Sequence, residues 1–255
     1  ALDGFRVEFD AGAERADIIL DRPPLNIVSM LERDQLAAVF VALDRDPAVR
    51  VIVLRGAGKD FSSGGNIAGF MEASPEHVSH LADNVAAPER CSKPVIAQLR
   101  GYCFGVGFEL SLACDFRIAS ETAEFALPEM RIGMIPGSGG SARLLQMIGI
   151  ARTKDMVMRS RRVKARQAFD WGFITDCLPD AELDAAVARL VEELRAFSPL
   201  AQRTIKNVLH PGQHLPLRGA IELEGQEYGR LRSSTDFKEG VDSFHAKRKP
   251  KFRGE

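Results

Sequence analysis

Lys93-Pro-Val-Ile-Ala-Gln-Leu-Arg-Gly101-Tyr-Cys-Phe-Gly105-Val-Gly107-Phe-Glu109 is the stretch that decides the fold of this chain. Its first part, Pro94 to Leu99, is apolar except at Gln98, which is typical of a strand covered on both faces. The glycines that follow predict a tight turn, and residues 106–113 predict a helix that opens on glycine. The stretch therefore contains one complete strand–turn–helix unit.

The same unit recurs on both sides of this stretch, which predicts an α/β fold. Each unit has a short β-rich run, a glycine-bearing loop and a helical pattern, and parallel strands need such crossovers. Predicted strands are Phe5–Phe9, Ala16–Leu20, Val49–Leu54 and Phe116–Ala119. Predicted helices are Leu31–Leu43, Pro75–Arg90, Gly140–Met147 and Val163–Phe173.

Near Ser198-Pro199 the pattern changes from mixed to helical. Leu200–Leu209 and Leu217–Arg232 have helical spacing, and no strand pattern separates them. We therefore predict a core domain over residues 1–195 and a small helical domain over residues 196–255.

Composition excludes several classes of protein. The chain has 255 residues, 45% of them apolar and 27% charged, as in ordinary globular proteins. A net charge of −1 argues against non-specific nucleic-acid binding, and no apolar run approaches the length of a membrane span. The N-terminus lacks a signal-peptide pattern, so we expect a cytoplasmic protein.

Neither the cysteines nor the histidines form a metal-binding or redox motif. No C-x-x-C or H-E-x-x-H pattern occurs among the five histidines and the four cysteines, Cys91, Cys103, Cys114 and Cys177. We expect reduced, mostly buried thiols and no metal site.

Two glutamates beside glycine-rich turns are the candidate catalytic residues. Glu109 falls in the first turn of the predicted helix, and Glu129 lies just before the glycines of residues 133–140. Helix starts and glycine turns present free N–H groups, which suit a developing oxyanion, and carboxylates move protons. The alternative for each glutamate is an ordinary surface residue. Gly105-x-Gly107 lacks a third glycine, so we reject a dinucleotide-binding interpretation.

Taken together, the motifs resemble the enoyl-CoA hydratase/isomerase (crotonase) superfamily over nearly the whole chain. No single motif is specific, but their order and spacing are. The matching segments are Leu20-Asp-Arg-Pro-Pro-Leu-Asn26, Gly58-Lys-Asp-Phe-Ser-Ser-Gly-Gly-Asn66, Lys93 to Gly101, Gly105-x-Gly-x-Glu109-Leu, Ala113-Cys-Asp115, Pro128-Glu129, Gly133 to Gly140, Glu239-Gly-Val and Lys247-Arg-Lys-Pro.

The resemblance implies roles for four residues. The backbone N–H groups of Gly65 and Val106 would form an oxyanion hole for a thioester. Glu109 would orient and deprotonate water, and Glu129 would deliver a proton to the α-carbon. The family usually has glycine where this chain has Val106, whose β-branched side chain narrows the approach. We therefore expect the hole to be kept and the pocket to be reshaped.

The resemblance also implies a coenzyme A site. Its candidate residues are Pro24, Leu25, Ser63, Asn66, Ile67 and Ala68, with Phe244 and Lys247 as C-terminal contacts that a neighbouring subunit often supplies. Asn66 stands where the family commonly has aspartate, which puts a role for this side chain in doubt.

The expectation is an enoyl-CoA hydratase with a crotonase-type ββα spiral core and a C-terminal helical oligomerisation region. It would need no metal or redox cofactor and would assemble as a trimer or a dimer of trimers. A Δ3,Δ2-enoyl-CoA isomerase and an acyl-CoA hydrolase stay open as alternatives. The Arg-Pro-Pro-Leu-Asn-Ile segment also resembles relatives that act on cyclic dienoyl-CoAs. Outside enzymes, the alternative is an RNA- or protein-binding relative that uses basic helices such as Arg159–Lys164.

Overall fold

A computed structural model of the chain describes residues 1–255, which contain nine strands in two sheets. The strands are β1 Phe5–Asp10, β2 Arg15–Leu20, β3 Val51–Gly56, β4 Val95–Leu99, β5 Tyr102–Phe104, β6 Phe116–Ser120, β7 Glu124–Ala126, β8 Val163–Lys164 and β9 Asp176–Leu178. The large sheet has the order β1-β2-β3-β4-β6-β9, and the small one has the order β5-β7-β8.

Twelve α-helices and two short 3-10 helices connect the strands. The α-helices are α1 Met30–Arg45, α2 Ile67–Glu72, α3 Pro75–Ser79, α4 Leu81–Val85, α5 Ala87–Arg90, α6 Val106–Ala113, α7 Gly140–Met158, α8 Ala165–Trp171, α9 Leu183–Arg195, α10 Pro199–Gly212, α11 Leu217–Leu231 and α12 Thr235–His245. The 3-10 helices span Glu129–Ile132 and Asp180–Glu182.

The large sheet is parallel except at its first hairpin, as the recurring strand–loop–helix units predict. β1 and β2 pair antiparallel, and every later pairing from β2 to β9 is parallel. In a sheet buried on both faces the central strands are nearly continuously apolar, and all five residues of β4, including Gln98, are buried. The α/β fold predicted from the sequence is confirmed.

Hydrophobic layers cover both faces of the large sheet. On one face, α1 and α6 contribute to the main core, in which the rings of Phe108, Phe125 and Phe173 pack with centroids 5.3 to 5.5 Å apart. On the other face, α9 packs Leu183 and Val187 against the sheet. Helix α6 is buried along its whole length, so polar side chains on it lie inside the protein.

Three of the predicted helices differ from the structure. Residues 75–90 form α3, α4 and α5 rather than one helix, because the backbone leaves helical geometry at His80 and Pro88 carries no N–H donor. Residues 163–164 pair with β7 as strand β8, so the helix begins only at Ala165. Helix α7 extends to Met158 through a kink at Gly149.

The basic segment Arg159–Lys164 is a turn followed by a strand, not a helix. Arg161 donates to Asp155, and Arg162 lies 3.6 Å from Glu124, so part of its charge is neutralised locally.

Residues 196–255 contain α10, α11 and α12 and no strand. The first of these helices is tied to the rest of the chain by Lys206, a buried lysine whose Nζ donates to Asp115 at 2.7 Å and to the Pro88 carbonyl at 3.0 Å. The division into two domains at residue 195 stays a prediction.

Candidate active site

Glu109 lies inside the protein at the start of α6, and only 3% of it is exposed. Its Oε1 accepts the backbone N–H of Ser138 at 2.8 Å and that of Gly140 at 3.1 Å. Two backbone donors fix the position of this oxygen and leave Oε2 without a protein donor. The carboxylate is therefore held rigidly and presents one free oxygen.

The turn at residues 136–140 is shaped to hold Glu109. Gly139 has a φ of 94°, which favours glycine, and Arg143 donates to the Ser138 carbonyl at 3.3 Å. Arg143 is itself fixed by a 2.7 Å bond to Glu89. A Cβ on Gly140 would lie 2.9 Å from Cγ of Glu109, so only glycine leaves that side chain its present position.

Glu129 opens the 3-10 helix that follows Pro128. A Cβ on Gly105, the residue before α6, would lie 3.2 Å from Glu129 Oε1, so this carboxyl faces the start of α6. Its Oε2 is buried and has no hydrogen-bond partner. An unpaired buried carboxyl oxygen is costly, which suggests that a bound molecule completes its bonding.

Both glutamates have a raised pKa, mainly because burial disfavours the charged form. The pKa of Glu129 rises to about 7, and the negative charge of Glu109 contributes to this rise. The pKa of Glu109 is also raised by burial, but the N–H groups of Ser138 and Gly140 oppose the rise. The two carboxyls therefore lie in one electrostatic environment, and each charge affects the pKa of the other group.

The Gly65 and Val106 N–H groups are both free of backbone acceptors. Their two loops are tied together, since Ser62 N–H donates to the Tyr102 carbonyl at 2.8 Å and Phe104 N–H donates to the Ser62 carbonyl at 3.0 Å. A Cβ on Gly105 would lie only 3.5 Å from the Cα of Gly64. The loops that carry the two free donors are thus in contact.

The side chain of Val106 is buried and belongs to the main core. We expected this β-branched side chain to narrow the approach to its own N–H group and so to reshape the pocket. The burial instead places its methyl groups among core residues, with the N–H at the first position of α6.

The candidate coenzyme A residues near the N-terminus form one surface region. Ser63 N–H donates to the Leu25 carbonyl at 2.9 Å, which joins the loop at Pro24 to the loop before α2. Asn66 is the N-cap of α2, because its side chain accepts the N–H of Ala68 at 3.1 Å. This local role accounts for Asn66 without a ligand. Ile67 is exposed beside it.

Phe244 and Lys247 lie at the end of α12, and 81% of Phe244 is exposed. No hydrogen bond or ion pair of this chain connects them to the loop at Gly65. Phe244 lines a cavity with C-terminal residues such as Leu231 and Phe252, and neither glutamate is among its lining residues.

Sequence reasoning missed Arg33, a buried residue of α1 beside the site. Its Nη1 donates to the Ser138 hydroxyl at 3.4 Å, and its guanidinium lies over the Phe70 ring, 4.9 Å from the centroid. Arg33 precedes Leu36 by three residues and Phe40 by seven, so it occupies the apolar face of α1. A charged residue at an apolar position of a predicted helix is the sequence signal that could have identified Arg33.

A cavity of about 730 Å³ has neither of the two glutamates among its lining residues. It is bounded by α10 and by the turn that holds Glu109, with Lys206, His210 and Arg143 among its lining residues.

No group of three or more His, Cys, Asp or Glu side chains is arranged to hold a metal ion. None of the helices has the length and hydropathy needed to span a membrane.

Comparison with known proteins identifies relatives along nearly the whole chain. A family model described as "Enoyl-CoA hydratase/isomerase" matches residues 11–255. The carnitinyl-CoA dehydratase of Proteus mirabilis is 33% identical over 246 residues, covering 93% of this chain and 94% of that protein. A probable enoyl-CoA hydratase of Bacillus subtilis is 31% identical, covering 94% of this chain and 95% of that protein.

Solved structures with a similar fold also cover nearly the whole chain. The crystal structure of an enoyl-CoA hydratase from Bacillus anthracis superposes with a TM-score of 0.91 at 31% identity, covering 99% of this chain and 100% of that one. The predicted crotonase-type fold is thereby confirmed.

Proposed function

Because the chain belongs to the enoyl-CoA hydratase/isomerase family, we propose that it is a hydro-lyase that adds water reversibly to a 2,3-unsaturated acyl-CoA. The observation that carries this proposal is the pair of buried carboxyls, Glu109 and Glu129, at the start of one helix with two free N–H groups in adjoining loops. The carnitinyl-CoA dehydratase of P. mirabilis is named for the reverse direction of such chemistry.

In the proposed mechanism, the N–H groups of Gly65 and Val106 donate to the thioester oxygen. Water attack at C3 moves the double-bond electrons toward this oxygen, and the two donors stabilise the enolate-like charge. Losing one such donor typically costs about 3–4 kcal/mol of transition-state stabilisation.

The two carboxyls divide the proton transfers. The free Oε2 of Glu109 accepts a proton from the attacking water, while Oε1 stays bonded to Ser138 and Gly140. The Glu129 carboxyl, with its pKa raised to about 7, delivers a proton to C2. Both groups act from the same side of the substrate, so the addition is syn.

Deuterium labelling tests the proposed function. Purified protein should remove the absorbance of the conjugated thioester when given crotonyl-CoA or cyclic and aryl enoyl-CoAs, and in D₂O the product should carry one deuterium at C2, syn to the new hydroxyl. If no member of the panel loses its conjugated absorbance, the proposal is wrong. Release of free thiol would indicate a hydrolase, and a salt-dependent gel shift without turnover would indicate a nucleic-acid-binding relative.

The hydration rate should decrease as the pH rises above about 7. Glu129 must be protonated to donate, and its pKa of about 7 places the loss of this proton there. At saturating substrate, we expect the rate to fall about tenfold per pH unit well above that value, because one proton is lost. A kcat–pH profile in the hydration direction measures this. A rate that still increases from pH 7 to pH 9 would contradict the assignment of Glu129 as the acid.

Gly140→Ala should lower kcat by about 10- to 100-fold without unfolding the protein. The new Cβ would lie 2.9 Å from Cγ of Glu109 and displace the carboxylate, and a displacement of about 1 Å can cost about 100-fold in rate. Gly137→Ala is the matched control in the same turn, since no atom lies within 4 Å of its Cβ position. Equal kcat values for the two variants would show that this turn does not position Glu109.

A further inference from the structure

Arg33 is a buried cation with very few partners. Only 3% of it is exposed, and its one hydrogen bond is the 3.4 Å contact from Nη1 to Ser138. Its Nε has no partner, and no carboxylate forms an ion pair with it. A guanidinium has five N–H donors, and burying it without acceptors is costly. The other N–H groups of Arg33 therefore lack an acceptor within the protein, and a bound molecule could supply one.

A second buried arginine shows what the fold does when an arginine is structural. Arg117 is also buried, but its guanidinium donates to the carbonyls of five residues, namely Ser111, Leu112, Cys114, Asp115 and Phe173. The same fold thus gives every nitrogen of one buried guanidinium an acceptor and leaves the other guanidinium with a single contact. This contrast argues against a purely structural role for Arg33.

The guanidinium of Arg33 lies between the two sides of the proposed site. A Cβ on Gly65 would lie 2.8 Å from Arg33 Nη2, so the cation is in contact with the turn that carries one free N–H. On the other side it contacts Ser138, whose N–H holds Glu109. The ring of Phe70 covers one face of the guanidinium. An acyl group placed between Gly65 and Glu109 would therefore pass beside these unused donors.

We propose that Arg33 binds an oxygen of the substrate's acyl group and selects acyl-CoAs that carry a hydroxyl, carbonyl or carboxylate beyond the thioester. The inference rests on the proposed acyl-CoA chemistry and extends it to the substrate class. A site built to donate hydrogen bonds discriminates against analogues that lack the acceptor, because its buried donors then stay unpaired. Purely hydrocarbon acyl groups are poor ligands for such a site.

Binding of unreactive ligands tests the proposal. Isothermal titration would compare three saturated acyl-CoAs of equal chain length that end in a methyl, a hydroxyl or a carboxylate group. We expect wild-type protein to bind at least one oxygen-bearing ligand about 10- to 100-fold more tightly than the methyl-ended one. Comparing the hydroxyl-ended with the carboxylate-ended ligand shows whether Arg33 prefers a neutral acceptor or an anion. Equal or tighter binding of the methyl-ended ligand by wild-type protein would overturn the proposal, whatever the variants do.

Three variants assign the preference to Arg33. Arg33→Met keeps the length of the side chain without its donors and should remove the preference, while Arg33→Lys should retain part of it if the acceptor is an anion. Arg45→Met, at the exposed end of the same helix, should leave it unchanged. If Arg33→Met weakens all three ligands equally, Arg33 acts only by positioning Ser138 and Glu109, and the proposal is wrong.

Failure of this inference is distinguishable from failure of the proposed function, because the ligands are bound and not turned over. A protein that hydrates crotonyl-CoA but shows no preference among the saturated ligands retains the proposed function and loses the role of Arg33. A protein that shows the preference but hydrates no enoyl-CoA retains the role of Arg33 in ligand binding and loses the proposed function.

Discussion

Replacing Glu109 by glutamine should reduce hydration of an enoyl-CoA by about 10²- to 10⁴-fold while the protein stays folded. The glutamine oxygen can still accept the N–H groups of Ser138 and Gly140, so the turn keeps both hydrogen bonds. What is lost is the free carboxylate oxygen that takes the proton from water. Steady-state rates with the best substrate of the enoyl-CoA panel measure the loss.

Two controls make the Glu109→Gln result specific. Glu121→Gln changes an exposed carboxylate with no ion pair, and it should leave the rate unchanged. Isomerisation of a 3-enoyl-CoA, assayed in parallel, should survive in Glu109→Gln if Glu129 alone shuttles the proton. Undiminished hydration in Glu109→Gln would show that this residue is a bystander and would favour an isomerase.

Replacing Glu129 by glutamine should have opposite effects on activity and stability. Activity should fall by about 10²- to 10⁴-fold, because no proton donor remains beside C2. Stability should rise at high pH, since burial raises the pKa of Glu129 from 4.5 to about 7. Between about pH 4.5 and pH 7 the folded state holds a proton that the unfolded state releases, so stability falls across this interval. Above pH 7 the full loss remains.

The size of this effect can be measured by urea unfolding at pH 5 and pH 8. The wild-type protein should lose stability across this interval relative to Glu129→Gln, and the variant should gain on the order of 1–3 kcal/mol at pH 8, allowing for partial solvent screening. Near pH 5 the gain should be small, because Glu129 is then protonated and uncharged. A variant that is less stable than wild type at pH 8 would show that ionised Glu129 has partners which the structure does not record.

The elements that the sequence predicts well are those whose burial leaves a long apolar pattern. Helix α6 begins and ends at the predicted residues 106 and 113, and β4 differs from the prediction by one residue. Both lie in the interior, where every position is covered and apolar composition alone is informative. The interior position of Glu109 follows from the apolar residues around it.

Short elements and broken helices were not predictable in the same way. Strands β5 and β7 have three residues each, which is too few for an alternating pattern to show. The segment of residues 75–90 has enough helical spacing to suggest one helix, but local breaks divide it into three. Pro88 signals one of these breaks in the sequence, because proline has no N–H donor. No comparable residue marks the break at His80, after which α4 contacts α1 and α6.

The arrangement of the site itself is a property of the tertiary structure. Glu109 and Glu129 are 20 positions apart in the sequence, and only the paths of β6 and β7 bring Glu129 back to the start of α6. Arg33 is more distant still, and its charged neighbours Glu32 and Asp34 make this part of α1 look like a solvent-facing turn. The spacing of Arg33 from Leu36 and Phe40 instead indicates that it lies on the apolar face of α1.

A crystal structure with a bound 3-hydroxyacyl-CoA tests the central claim most directly. The account predicts a thioester oxygen about 2.7–3.1 Å from the backbone nitrogens of both Gly65 and Val106, with the hydroxyl at Glu109 and C2 beside the Glu129 carboxyl. A thioester bound elsewhere, or one whose oxygen contacts neither nitrogen, would contradict the account.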